Sequence, residues 1–366
     1  MVVRYNRAYV NDNDNHYLNL QKRMDIGEGT VMALRGLVKA GYILLLSAAI
    51  MLSGCGAEGD QTENTVVQQP SATTETSTNS QAGIAAAEKR LVTDQFGEVE
   101  IPVQPKRVAA LYREDYLVAL GVTPIVQYYN PMWGKQDYLG LEVPLLDVTG
   151  NIEALLASEP DLIITAGEGD AAQYENYSKV APTFHITNEV LSDTRETLKV
   201  IADLLGLPEK AEQVLQDYES RISEVKEELK SALGDESLVV LRMNVVDHSI
   251  NIFGTQNIFI GELLYTDLEL KAPAYAQAMT EGNMVLAEES LPELGADHIV
   301  LLPSNGTWED EENAKALQEM LDSPIWKSIP AVKEGHVYPV ERSYWQTGAI
   351  TANFKKMDEL LKLLAP

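Results

Sequence analysis

A set of arginine and aromatic side chains stands at the ends of short apolar runs in a chain otherwise poor in positive charge. They are Arg113, Tyr128, Tyr129, Trp133, Arg242, Arg342, Tyr344 and Trp345. Arginine offers forked, charge-assisted bonds to anionic oxygens, while tyrosine and tryptophan supply rigid contact area with a polar handle. In open α/β sheets, ligands bind beyond the carboxyl ends of the strands, and these residues follow strand-like stretches. The chemistry indicated is therefore capture of a bulky anionic ligand. Taken singly, each residue has a plainer reading. Arg113 suits a solvated loop, Arg342 a surface ion pair, and Tyr128 and Trp133 an ordinary core. Arg242 lies inside an apolar strand, where an unpaired arginine is costly, and a role is favoured there.

Two glutamates form a second constellation. The stretch IEALLASEPDLIIT (Ile152–Thr165) returns as EESLPELGADHIVLL (Glu288–Leu302), aligning Glu153 with Glu289 and Pro160-Asp161 with Ala296-Asp297. In each copy a glutamate opens a short helix that leads into an apolar strand. A carboxylate is favoured at a helix N-terminus by about 0.3–1 kcal/mol, which accounts for an acid there but not for the matched spacing. Glu288 is the other candidate for the second position.

Other chemistries find little support. AGEGDAA (Ala166–Ala172), with Glu189 beyond it, imitates a dinucleotide fingerprint, but Glu168 and Asp170 would set negative charge beside a pyrophosphate. His185, His248, His298 and His336 form no His-rich loop, and His185 and His298 fall within expected strands. There is no G-x-S-x-G and no cysteine nucleophile, so no catalytic residues are assigned and the chain is not expected to be an enzyme. A net charge of −27 makes nucleic acid a poor partner.

The elements that must position these residues alternate between strand and helix. A hairpin over 90–102 is followed by strands at 107–112, 124–129, 162–165 and 183–186, with helices at 114–121, 152–158, 170–180 and 193–205. After a long helix the pattern restarts, with strands at 237–244, 249–254, 298–304 and 336–340 and helices at 258–264, 313–321 and 347–364. The long helix is PEKAEQVLQDYESRISEVKEELKSAL (Pro208–Leu233). Its apolar residues Ala211, Val214, Leu215, Tyr218, Ile222, Val225, Leu229, Ala232 and Leu233 recur in steps that draw one stripe. Pro208 suits a first turn and Gly234 a stop. The expected division is an N-terminal lobe over 89–206, a bridging helix over 207–234 and a C-terminal lobe over 235–366.

The N-terminus reads as a targeting segment. Residues 1–31 are polar and dispensable. Residues 32–54 carry Arg35 and Lys39 before an apolar run of about a dozen residues, short of the ~20 that span a bilayer. The run ends in Leu52-Ser53-Gly54-Cys55, which matches a lipobox, so Cys55, the one cysteine, is the expected lipidation site. Residues 55–88 then form a Thr/Ser/Gln-rich tether.

Lipobox, tether, TDQFGEVEIPVQPKRVAAL, ALGVTPI, GNIEALLASEPDLIIT, KVAPTF, the long helix and the second glutamate motif occur in one order. That order resembles the iron-siderophore substrate-binding lipoproteins, the solute receptors of ferrichrome/cobalamin-type ABC importers. The resemblance implies a class III periplasmic-binding fold: α/β, two Rossmann-like lobes with mostly parallel sheets and one bridging α-helix. It implies a monomer, lipid-anchored on the extracytoplasmic face of the cell membrane. The ligand would be a ferric siderophore complex, with hydroxamate or carboxylate types favoured by the few basic residues, and no cofactor is expected. It also implies ABC permease subunits as partners, docked through Glu153 and Glu289. A receptor of the same fold for haem, cobalamin or a divalent metal is the alternative, and an NAD-binding enzyme the remoter one.

Overall fold

The computed structural model describes residues 88–130, 134–147 and 152–365. The signal and tether readings, Cys55 and Trp133 lie outside the described residues. The chain begins with a hairpin, β1 (Lys89–Asp94) and β2 (Gly97–Pro102), paired antiparallel around the expected turn. Next come β3 (Val108–Ala110), α1 (Glu114–Ala119), β4 (Gln127–Tyr129), β5 (Leu145–Asp147), α2 (Ile152–Ala157), β6 (Leu162–Gly167) and α3 (Ala171–Ser178). The first half closes with β7 (Thr183–Thr187), α4 (Asn188–Leu191) and α5 (Thr194–Leu205). Strands β3, β6 and β7 form a parallel sheet in the order β3-β6-β7, and β4 and β5 pair in parallel beside it. Val108–Ala110 of β3 and Leu162–Ile164 at the start of β6 are unbroken apolar runs, as strands buried on both faces require, whereas β7 carries polar Thr183, His185 and Thr187.

Helix boundaries follow local chemistry. The Asp170 carboxylate accepts from the amides of Ala172 and Gln173 at 2.8 and 3.2 Å, capping α3. Asp193 does the same for Arg195 and Glu196, both at 2.9 Å. Gly206 ends α5 in a left-handed conformation, and a side chain there would strike the Val103 carbonyl. The glycines of AGEGDAA are thus explained by a turn and a helix start.

The bridging helix α6 runs Pro208–Leu233, about 39 Å at ~1.5 Å per residue. Its buried face is Ala211, Val214, Tyr218, Ile222, Val225, Leu229 and Leu233; Leu215 is half-buried and Ala232 exposed. Beyond it lie β8 (Leu238–Met243), β9 (Ile250–Phe253), α7 (Ala274–Gln277), β10 (Asn283–Leu286), β11 (His298–Pro303), α8 (Glu311–Asp322), α9 (Pro330–Glu334), β12 (Val337–Pro339), α10 (Arg342–Trp345) and α11 (Ile350–Leu364). The second sheet has the order β10-β9-β8-β11-β12, parallel across β8, β11 and β12 and antiparallel at the β9 and β10 edge. The helix expected over 258–264 instead begins as a turn and continues as a π-helical segment, Glu262–Asp267. Gly261 presses against the Thr255 carbonyl, which leaves no room for a side chain.

The internal repeat has a structural counterpart. Asp161, before β6, accepts from the amides of Lys106 and Arg107 leading into β3, at 2.7 and 2.9 Å. Asp297, before β11, accepts from the amide and hydroxyl of Ser237 leading into β8, both at 2.7 Å. Each aspartate fixes the start of one strand against its parallel neighbour.

A single apolar cluster runs from Val108, Leu162 and Leu198 through Tyr218 and Val225 to Val240, Val300 and Leu360. Helix α11 packs on both α6 and α1, so the last helix returns to the first half. A further tie is Arg195, which bonds Glu219 of α6 at 2.6 Å and Glu262 and Asp267 of the π-helical segment at 2.7 and 3.0 Å. Its guanidinium also lies 5.2 Å over the Tyr218 ring. One charged fork therefore joins α5, α6 and the second half.

Candidate functional site

Between the two halves lies a cleft of about 570 Å³. Tyr112, Arg113 and Gly167 line it from the carboxyl ends of β3 and β6, Arg242 from β8, and Phe259 and Thr347 from two loops. Tyr112 has a φ of 56°, a left-handed conformation that a bulky residue adopts only when its surroundings enforce it. That kink at the end of β3 turns Tyr112 and Arg113 into the cleft. Arg113 donates to the Tyr112 carbonyl at 2.6 Å, and its guanidinium lies 6.0 Å from the Tyr112 ring centroid.

The site is electropositive and incompletely satisfied. The Nε atoms of Arg113 and Arg242 are buried with no hydrogen-bond partner among the described residues. Burial, and then the like charge of Arg342, hold the Arg242 guanidinium below its usual range. Burial also lowers Arg342, against the pull of Tyr112 and Asp137. Glu114, the residue after Arg113, offsets this charge only in part. Burial pushes it up to about 7, although the Tyr128 amide donates to it at 2.6 Å. Buried, unpaired N–H groups cost roughly 1–3 kcal/mol each until an acceptor arrives. An anionic ligand rich in oxygen would remove that cost.

The predicted residues divide into groups. Arg113 and Arg242 line the cleft, and Arg342 joins them through its charge on Arg242 and Tyr112. Tyr128 stands one row back, edge-on to Tyr112 at 5.3 Å. Tyr129 lies in β4, opposite Asp147 of β5, and is not among the cleft residues. Trp345 is a correction, and Tyr344, half-buried, is not among the cleft residues. Trp345 is fully buried in the core and donates through its indole to Glu359 at 2.6 Å. Tyr344 meets Tyr138 edge-on at 6.1 Å, and burial, then the Glu359 carboxylate, raise its pKa. The reason is local: after β12 the chain turns at once into α10 instead of running on extended, which sends Trp345 inward and brings Gln346 and Thr347 to the cleft. Glu153 is exposed on α2, and Glu289 is exposed on a 3-10 segment, Glu288–Leu294.

Sequence reasoning missed Tyr112, Phe259, Thr347 and Gly167 as cleft residues. Tyr112 stands beside Arg113 and was within reach of the strand-end argument. Phe259 and Thr347 carry no local signal. The strand histidines are occupied: His185 pairs with the Thr165 hydroxyl and Gly167 carbonyl at 3.0 and 3.1 Å, and His298 with Glu236 at 2.7 Å. Among the described residues no group of three His, Cys, Asp or Glu side chains is placed to hold a metal ion.

The family model described as periplasmic binding protein matches residues 115–343. The chain is 31% identical over 191 residues to the iron-uptake system-binding protein of Bacillus subtilis, covering 51% of this chain and 57% of that protein, little more than half its length. It is 30% identical over 256 residues to the iron(3+)-hydroxamate-binding protein FhuD of Bacillus subtilis, covering 67% and 76%. Among solved structures, the triscatecholate siderophore binding protein FeuA from Bacillus subtilis, complexed with ferri-bacillibactin, matches with a TM-score of 0.61 at 25% identity. That match covers 76% of this chain and 98% of the other.

Proposed function

Since the chain belongs to the periplasmic binding protein family, we propose that it is an extracytoplasmic receptor that captures a ferric siderophore between its lobes and delivers it to an ABC permease. The observation that carries this reading is the cleft itself. In a chain of net charge −27, Arg113 and Arg242 converge there with buried Nε atoms that have no hydrogen-bond partner among the described residues, and Arg342 adds its charge. Ferric siderophores are bulky, commonly anionic, and present ligating oxygens that such guanidinium groups bind with forked bonds. Hydroxamate or carboxylate complexes are favoured, in keeping with the name of the FhuD relative, while the FeuA likeness makes a catecholate complex the arm to test against. Anchoring through lipidated Cys55, as a monomer on the outer face of the cell membrane, completes the proposal.

Titration with ferrioxamine B, the ferric staphyloferrin B complex and ferri-bacillibactin should quench tryptophan fluorescence saturably for at least one complex, and the iron-free chelators should bind more weakly. No response to any of them, with saturable binding of haem or zinc instead, would refute the siderophore reading.

Docking is assigned to Glu153 and Glu289, exposed acids at matched positions of the repeat. The double variant Glu153→Ala/Glu289→Ala should keep its affinity for the ferric complex and lose nearly all cellular uptake of radioactive iron. Uptake at the unaltered rate would remove the docking role.

A further inference from the structure

Lys356 lies on α11 and is fully buried. Its ammonium donates to the Phe259 carbonyl at 2.7 Å, to the Asn353 side-chain oxygen at 2.9 Å and to the Thr347 carbonyl. Phe259 and Thr347 are cleft residues from two separate loops, and this one side chain ties them together. Asn353 extends the link: its amide group donates to the Tyr218 hydroxyl of α6 at 2.8 Å and to the Gly348 carbonyl at 3.0 Å. An unbroken run of hydrogen bonds thus leads from the bridging helix to two walls of the cleft. Gly348 is held a second time, by the Thr194 hydroxyl of α5.

A buried lysine is an expensive way to fill space. Burial pulls its pKa down to about 7, with the charge of Asp115 acting in the opposite direction. Methionine has similar length and carries no desolvation penalty, although it would leave the Phe259 and Thr347 carbonyls and the Asn353 oxygen without this donor. The lysine is therefore kept for the bonds it makes, and two of its three acceptors are carbonyls of cleft loops. Loop carbonyls have no ladder to join, and a ligand site is precise only when such loops are locked from behind.

We propose that Lys356 is a positioning residue for the ligand, a clamp that holds the Phe259 and Thr347 loops at the separation the ferric complex requires. It reaches no part of the cleft itself and acts through those two carbonyls. The role rests on the receptor reading above, but its structural half, the joining of two loops, is testable without a ligand.

The test compares Lys356→Met with Lys356→Gln, whose amide keeps two N–H donors. Affinity is read by fluorescence titration with the best-bound complex of the three probes. Amide hydrogen exchange is read in the ligand-free protein over 257–260 and 345–349. The methionine variant should bind roughly tenfold more weakly and exchange roughly tenfold faster in both segments, with the glutamine variant recovering part of each loss. A folded methionine variant with unaltered affinity and exchange overturns the proposal, as does a glutamine variant no better than methionine. Should the methionine variant not fold, the glutamine variant is compared with wild type. Weaker binding with faster exchange confined to the two segments supports the clamp, whereas acceleration spread along the whole of α11 marks a purely structural lysine. If the wild-type protein binds none of the probes, the receptor reading fails on that result, and exchange in the ligand-free protein still decides whether the clamp exists.

Discussion

Replacing Arg242 by methionine should weaken binding of the ferric complex by roughly 10- to 100-fold and, in the same molecule, raise thermal stability. The first effect follows from the loss of a charge-assisted bond worth about 1.5–3 kcal/mol. The second follows from the state of Arg242 before any ligand arrives. It stands within β8, opposite Asn251 and Leu302, with its Nε buried and unsatisfied and with Arg342 repelling it. Its visible compensation is the Phe253 ring, 5.7 Å from the guanidinium carbon. A methionine thioether packs well against an aromatic edge, so the variant keeps contact with Phe253 while losing the desolvated charge. The net gain should be about 1 kcal/mol, or about 2 °C in the unfolding midpoint. Titration and thermal unfolding on one preparation check both halves. A variant that binds as before refutes the ligand role. One that binds weakly and also loses stability shows that Arg242 is structural. Residues kept at a cost to stability mark function, and Arg242 is the sharpest case here.

How far the sequence discloses this site depends on distance along the chain. Strands such as Leu162–Gly167 and His298–Pro303 are legible because each is an apolar run whose neighbours along the chain are turns. The bounds of α5 and α6 are legible because Asp193, Gly206 and Pro208 act on backbone groups within a few residues. Arg113 and Arg242 are legible because a strand end and a strand interior each set a local expectation about charge. Trp345 was misplaced because extended and helical continuations of β12 look alike over so few residues. Lys355 and Lys356 are adjacent and identical in type, yet the first is exposed and the second fully buried. Helical spacing sets Lys356 on the stripe of Asn353, Met357 and Leu360 and Lys355 on the opposite face, but what Lys356 meets there depends on the 258–259 and 346–348 loops, which no window around it contains. The same holds for Asp115, which reads as an ordinary acid in the first turn of α1.

Asp115→Ala should lower the stability of the folded protein by about 2–4 kcal/mol. Asp115 is fully buried, and its carboxylate accepts from the Tyr138 hydroxyl at 2.6 Å and from the Thr351 and Ala352 amides at 2.8 and 3.0 Å. Those amides belong to the first turn of α11, where backbone donors have no partner within the helix. Ala349, at the cap position, has no side-chain acceptor to offer. The cap is supplied instead from α1, far back in the sequence, and capping alone is worth about 1 kcal/mol. The rest of the loss comes from leaving the Tyr138 hydroxyl buried without an acceptor. Burial raises the carboxyl's pKa, and the three donors pull against it, so the ionised form depends on all of them. Asp115→Asn keeps the shape and one acceptor oxygen but turns an NH₂ group towards donors, and should fall between wild type and alanine. Urea denaturation of the three proteins measures the series. A loss below about 1 kcal/mol for alanine would mean that the helix is capped by something other than this carboxylate. Because Thr347 and Gly348 lead directly into α11, the alanine variant should also bind the ferric complex less tightly than its folded fraction alone accounts for. The bond that closes the fold is in this way also a support of the cleft, which is why stability and affinity should fall together at Asp115 and move apart at Arg242.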